Sequence, residues 1–237
     1  YWNSHEFAPY SENDVQKLSQ ALSAEKYSGE TADYLFDINP YPYQQEILDR
    51  LKAERDIRGH FRNLVVAATG TGKTVISAFD YRRFRSENAG KPCRLLFVAH
   101  RKEILEQSIK CFRGVLHDPN FGELFVGEHR PDSLDNLFVS VQTLNSRALT
   151  EAVSEDFYDF IIVDEFHHAA APTYQQLLNY FKPHILLGLT ATPERMDGEN
   201  ILRWFDNRIA AEIRLPEAID RKPVSYTHLT LPTILLV

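Results

Sequence analysis

The sequence predicts an α/β fold, with a mostly parallel sheet and helices on both faces, and three observations predict it. Short apolar runs recur along the chain, unbroken by charge, as strands buried on both faces require. Segments with helical periodicity separate most of these runs, and strand–helix–strand in series means parallel strands joined by right-handed crossovers. A glycine-rich turn ends the first run and opens a helix. Ligands of such sheets bind outside the carboxyl ends of the strands, so chemistry is expected there.

Taken in order, residues 1–40 read as an extension. Ser11 can cap a helix whose residues Val15, Leu18, Ala21 and Leu22 recur at helical spacing. Gly29, Asp37, Asn39, Pro40 and Pro42 then mark a linker ending at a new domain. The extension is either an ordinary N-terminal segment or the remnant of a preceding domain. The main domain is expected over 41–215. Its strands fall at Leu64–Ala68, Arg94–Ala99, Leu137–Val141, Phe160–Val163 and Ile185–Leu189. Its helices fall at Lys73–Arg85, Glu103–Phe112 and Thr173–Tyr180.

Residues 216–223 read as the start of a linker, and 224–237 read differently again. Translating GTC TCT TAT ACA CAT CTG ACG CTG CCG ACG reproduces Val224 through Thr233, and that string resembles the transposon end and adapter of sequencing libraries. The expectation is a translated adapter; the alternative is a real edge strand of Thr and Leu. The chain starts at Tyr1 and its only methionine is Met196, which suggests an internal piece of something longer.

Composition narrows the function classes. At 237 residues, 43% hydrophobic and 25% charged, the chain is neither disordered, collagenous nor a coiled coil. A net charge of −7 excludes a uniformly basic nucleic-acid coat but leaves room for a local basic groove. Cys93 and Cys111 cannot form a disulfide framework or a four-ligand zinc site by themselves, and they read as reduced thiols of a cytoplasmic protein. The nine histidines show no metal-site spacing. No apolar run reaches the roughly 18 to 20 residues that span a bilayer, so no membrane partner is expected.

The first strand end carries Thr69-Gly70-Thr71-Gly72-Lys73-Thr74, in the strand–loop–helix context of a P-loop. Gly70 and Gly72 let backbone N–H groups turn inward around phosphates, and the following helix aims its positive end at the same anion. Lys73 supplies charge for the β- and γ-phosphates, and the Thr74 hydroxyl can ligate Mg²⁺. One departure is Ala67, where the strict pattern begins with glycine. A second strand, Phe160–Val163, runs into Asp164-Glu165-Phe166-His167. Asp164 can hold the Mg²⁺ that bridges the phosphates of ATP, and Glu165 can orient or deprotonate an attacking water.

These residues, followed by Leu189-Thr190-Ala191-Thr192-Pro193, resemble motifs I, II and III of superfamily 2 helicases of the DExH type. The likeness is to restriction-type DEAD/DEAH-box proteins with a type III res-subunit-like ATPase domain, of the kind fused to a phospholipase D-like nuclease. The resemblance covers about 41–215 and implies a RecA-like P-loop NTPase fold, the first of two such helicase domains. It also implies roles. Gln44 would recognise adenine. Arg101, in a segment like motif Ia, and Gln142 with Thr143, in one like motif Ic, would touch nucleic-acid phosphates, which positions without reading sequence. Thr190, Thr192 and His167 would couple the ATP site to the second RecA-like domain. His168 is expected to face solvent, and Arg82, Arg83 and Arg85 to form a solvated helix face.

The expected function is therefore the ATP- and Mg²⁺-binding domain of an ATPase that moves on nucleic acid, DNA rather than RNA. This piece would hydrolyse poorly without its second domain. The alternatives are a double-strand DNA translocase subunit of a restriction or remodelling complex, and a non-hydrolysing nucleotide-switched interaction module.

Overall fold

The computed structural model describes residues 38–127, 129–146, 149–169, 171–191 and 201–213. The expected Ser11 helix, the coupling residue Thr192 and the 216–237 segment lie outside them.

The described elements, in order, are α1 (Pro42–Asp56), β1 (Arg62–Ala67), α2 (Lys73–Glu87), β2 (Leu95–Ala99), α3 (Lys102–Leu116), β3 (Glu123–Phe125), β4 (Asn136–Ser140), α4 (Val141–Ser146), α5 (Leu149–Ala152), β5 (Phe160–Val163), α6 (Pro172–Tyr180), β6 (Ile185–Thr190) and β7 (Ala211–Ile213). Short 3-10 turns follow β5 (Phe166–His168) and precede β7 (Ile201–Phe205). The strands form one seven-stranded sheet in the order β3-β4-β2-β5-β6-β1-β7, with every pairing parallel.

Strand side chains alternate between two cores, as the pleat dictates. Val65, Phe97, Phe160, Ile162 and Leu187 pack with α1, α2 and α3 on one face. Leu64, Val98, Ile161, Val163 and Leu186 pack with α4, α5 and α6 on the other. Both faces are covered, which is why the five expected strands read as continuous apolar runs. Each of the three expected helices is present and extends slightly beyond its expected bounds.

Besides the 3-10 turns, five described elements were not expected: α1, the short helices α4 and α5, and strands β3 and β7. Helix α1 begins with Pro42 at a first-turn position, where its missing N–H costs nothing. It buries Tyr43, Ile47, Leu48 and Leu51, but charged residues between them and the buried Glu54 and Arg55 blur the apolar stripe in the sequence. Strands β3 and β7 are three residues each, too short to show a pattern.

Arg55 explains its own burial. Its guanidinium grips Asp80 with two nitrogens, at 2.8 and 2.7 Å, and Nε donates to Asn63 Oδ1 at 2.8 Å. Arg83 adds a bond to Asp80 at 2.9 Å and donates to the Leu48 carbonyl at 2.9 Å. The cluster ties α1, β1 and α2 together. It also corrects the expectation of a solvated face: Arg83 and Arg85 are half-buried, Arg85 lies 5.4 Å from the Phe121 ring centre, and the exposed Arg82 lies 4.4 Å from that of Phe79.

Candidate active site

Sheet order assembles the site. Strand β6 lies between β5 and β1, and the register pairs Val66 with Thr190 and Val163 with Gly188. The P-loop after β1, Thr190 at the end of β6 and Asp164-Glu165 after β5 therefore occupy three adjacent strand ends. On the far side of β5 come β2, leading to Arg101, and β4, leading to Gln142 and Thr143.

The P-loop is held from three directions. Gly70 and Gly72 have φ of +83° and +76°, the left-handed region that glycine tolerates. The Thr71 hydroxyl donates to the Ala68 carbonyl at 2.7 Å, fixing the loop on itself. The Ala68 N–H donates to Ile213 O of β7 at 3.3 Å, extending the strand ladder into the loop. From α1, Tyr43 Oη and Gln44 Nε2 both donate to the Thr71 carbonyl at 3.0 Å. Thr69 and Gly70 are exposed at the tip, and Thr74 is half-buried at the start of α2.

Gln44, expected to recognise adenine, also braces the loop. It is 2% exposed, its Nε2 holds the P-loop, and its Oε1 accepts from the Tyr41 N–H at 2.9 Å. Any contact with a base uses the remaining N–H and lone pair of an amide already oriented by the loop.

Lys73 folds back so that Nζ donates to the Ala67 carbonyl at 3.0 Å. Burial lowers its pKa, and the nearby Asp164 and Glu165 pull against that shift. Asp164 is 7% exposed, and burial raises its pKa above the ordinary carboxylate range; the Glu165 N–H, donated to Oδ1 at 2.9 Å, and Lys73 oppose the rise. Glu165 itself sits at φ +51°, an uncommon left-handed conformation for a side-chain-bearing residue and one found at sites where geometry matters more than local stability. Behind it Phe166 is fully buried. Its ring meets Phe205 at 4.6 Å, and a Cβ on Gly188 would come within 2.9 Å of the Phe166 ring and 2.5 Å of Phe205.

The donor set fits Mg²⁺ arriving with a nucleotide. Thr74 and Asp164 offer hard oxygens, and Mg²⁺ is typically held by one or two carboxylates plus substrate phosphates. Among the described residues no group of three His, Cys, Asp or Glu could hold a metal by itself.

His167 Nδ1 lies 3.3 Å from Thr190 Oγ1, so two of the three expected coupling residues meet. His168 is half-buried rather than solvent-facing, and its ring lies 4.2 Å from that of His167. Arg101 is exposed at the N-cap of α3, and Gln142 is exposed at the start of α4. Thr143 turns inward: it is 4% exposed, and its hydroxyl accepts from the Gly127 N–H at 3.1 Å and from Ser140 Oγ at 2.9 Å. Of that pair only Gln142 is exposed. Neighbouring residues at a helix start point in different directions, and the Ser140 and Gly127 contacts decide which one faces in. Among the described residues, no helix is long and apolar enough to cross a membrane.

Solved structures support the same architecture. The Pyrococcus furiosus Hef helicase domain superposes with a TM-score of 0.60 at 20% identity, covering 76% of this chain and 39% of that one, and the fold is RecA-like. In sequence, a Schizosaccharomyces pombe protein that carries the name mitochondrial ATP-dependent helicase irc3 is 30% identical over 186 residues, 76% of this chain. The type I restriction enzyme EcoAI endonuclease subunit of Escherichia coli is 29% identical over 198 residues, again 76% of this chain. The chain spans 30% and 23% of the lengths of those two relatives. The type III restriction enzyme, res subunit family matches residues 37–195, and the chain belongs to that family.

Proposed function

We propose that this chain is the ATP-binding domain of a nucleic-acid-dependent ATPase that moves along DNA, partnered by a second RecA-like domain in the full-length chain. One observation carries the reading: the P-loop, Asp164-Glu165 and Thr190 meet at adjacent strand ends, while Arg101 and Gln142 occupy the next two ends of the same rim. Adjacent ends allow a triphosphate and a nucleic-acid strand to be held by one rigid sheet.

In this reading the backbone of Thr69 to Gly72 cradles the phosphates, Lys73 leaves the Ala67 carbonyl for the β- and γ-oxygens, and Gln44 braces the loop beside the base. Thr74 and Asp164 would hold Mg²⁺, and the chemistry it would supply there is neutralisation of phosphate charge. Glu165 accepts the proton of a water that attacks the γ-phosphorus, and ADP leaves. His167 and Thr190 pass the change in that corner to the second domain. An arginine finger from a second domain is worth roughly 10³ to 10⁵ in rate, so residues 1–237 alone bind ATP and turn it over slowly. The setting is cytoplasmic.

The test is ATP turnover by the full-length protein with and without single-stranded DNA, duplex DNA and RNA. Glu165→Gln is expected to abolish stimulated turnover while retaining ATP binding, and Lys73→Ala to lose binding. A wild-type protein that binds ATP but never turns it over would replace the motor with a nucleotide-driven switch. A variant reading, for a chain of a restriction-enzyme family, is translocation on duplex DNA without strand separation. Stimulation by duplex DNA without strand displacement would select it.

A further inference from the structure

A line of side chains crosses the rim at right angles to the strands. Thr190 at the end of β6 meets His167 Nδ1 at 3.3 Å. The rings of His167 and His168 lie 4.2 Å apart at 44°. The His168 ring in turn lies 5.8 Å from that of His100, at 36°. Gln142 Nε2 donates to His100 Nδ1 at 3.2 Å. The residues stand at the ends of β6, β5, β2 and β4, four successive strands. The line starts at the nucleotide corner and finishes on the residue placed toward nucleic acid.

We infer that His168 and His100 are positioning residues that carry the state of the nucleotide corner to the nucleic-acid side of the same domain. The inference rests on the functional reading above and deepens it: the expected coupling residues lead to a second domain, whereas this line stays within one.

The mechanical basis is the turn that holds His168. Asp164 Oδ1 accepts the Glu165 N–H at 2.9 Å, and the Glu165 carbonyl accepts the His168 N–H at 2.9 Å. The buried Phe166 ring fixes the turn from below against Phe205. The segment from Asp164 to His168 is therefore one short rigid unit pivoting on Phe166. A shift of the Asp164 carboxylate, when it is loaded or released, tilts the His168 ring. Packed rings have discrete preferred arrangements, so the tilt re-seats His100 and with it the Gln142 amide. The histidine rings are linked by their packing and by the hydrogen bonds of His167 with Thr190 and of His100 with Gln142. None of these rings is needed to bind phosphate or activate water, so the line separates signalling from chemistry.

The test uses the full-length protein and four variants: His168→Ala, His168→Phe, His100→Ala and the His100→Ala/His168→Ala pair. Three quantities are read: ATP affinity, turnover without nucleic acid, and turnover at saturating single-stranded DNA. His168→Ala and His100→Ala are each expected to lower DNA stimulation about five-fold or more, with ATP affinity and basal turnover within about two-fold of wild type. The pair should be no worse than the worse single variant, because both cut one line. His168→Phe keeps a ring and should restore most of the stimulation. Stimulation unchanged in both single variants, losses that multiply in the pair, or a phenylalanine variant as impaired as the alanine one would each overturn the inference while leaving the motor intact. A wild-type protein whose turnover ignores nucleic acid would overturn the functional reading and this inference together.

Discussion

The contact between Gly72 and Gln44 allows the P-loop bracing to be measured. Gly72 sits at φ +76° and ψ +42°, and a Cβ there would lie 2.5 Å from Gln44 Nε2. Alanine in this left-handed conformation costs about 1–2 kcal/mol from backbone sterics alone. The clash adds to it, because the Gln44 amide cannot swing aside without giving up its bonds to Thr71 O and from the Tyr41 N–H. At about 0.5–1.5 kcal/mol each, those two bonds bring the expected total for Gly72→Ala to about 2–5 kcal/mol. Gly70 is the internal control: its φ is +83°, but an added Cβ would meet nothing within 4 Å. Gly70→Ala should therefore cost only the steric part. In a Gln44→Ala background the clash is already gone, so Gly72→Ala should fall to the same 1–2 kcal/mol. Urea denaturation of nucleotide-free protein, followed by far-ultraviolet circular dichroism, reads all five proteins. Equal costs at positions 70 and 72, or strict additivity of Gly72→Ala with Gln44→Ala, would refute the bracing.

Three further outcomes follow from buried or half-buried groups. Arg55→Met leaves the unexposed Asp80 with Arg83 alone, and should destabilise by about 3–5 kcal/mol, whereas Arg55→Met with Asp80→Leu should cost far less; a double variant as unstable as the single would contradict this. Tyr174 is buried with no hydrogen-bond partner for its hydroxyl among the described residues, so Tyr174→Phe should be neutral or gain about 1 kcal/mol in thermal unfolding, and a clear loss would reveal a bond. Burial pushes the Cys111 thiol up to about 12 and raises Cys93 as well, with Asp159 adding to the rise there. Because both stay protonated at neutral pH, alkylation should be slow at pH 7 and quicken about ten-fold per pH unit, Cys93 ahead of Cys111. Rapid labelling of Cys111 at pH 7 would count against the buried environment.

What could be read from the chain was local. Gly70, Gly72, Lys73 and Thr74 stand within five residues of one another after an apolar run, and their conformation follows from glycine and strand–helix geometry. Asp164 and Glu165 follow four buried residues and needed no tertiary knowledge either. The family resemblance then supplied Arg101, Gln142 and Thr190 from ordered motifs. What the sequence could not show was lateral. That β6 inserts between β5 and β1 is a property of sheet order, and no local pattern encodes it. The Gln44 amide reaches a carbonyl 27 residues away, a partner invisible in the glutamine's own surroundings. Helix α1 was missed because its buried stripe includes Glu54 and Arg55, whose partners Asp80 and Asn63 come from other elements. His168 read as a solvent-facing neighbour because nothing in the chain places it beside His100.

Strand β7 bears on how far the folding unit must run. It borders β1 on the side away from β6, and it reaches the phosphate loop through the Ile213 carbonyl. A polypeptide cut at residue 195, where the family match stops, would keep every motif yet leave the flank of β1 bare. An uncovered strand of Leu, Val and Ala recruits other chains, so such a truncation would invite aggregation and loosen the very loop it was meant to preserve. The boundary for producing a well-behaved nucleotide binder is therefore set by a three-residue seal beyond the last signature.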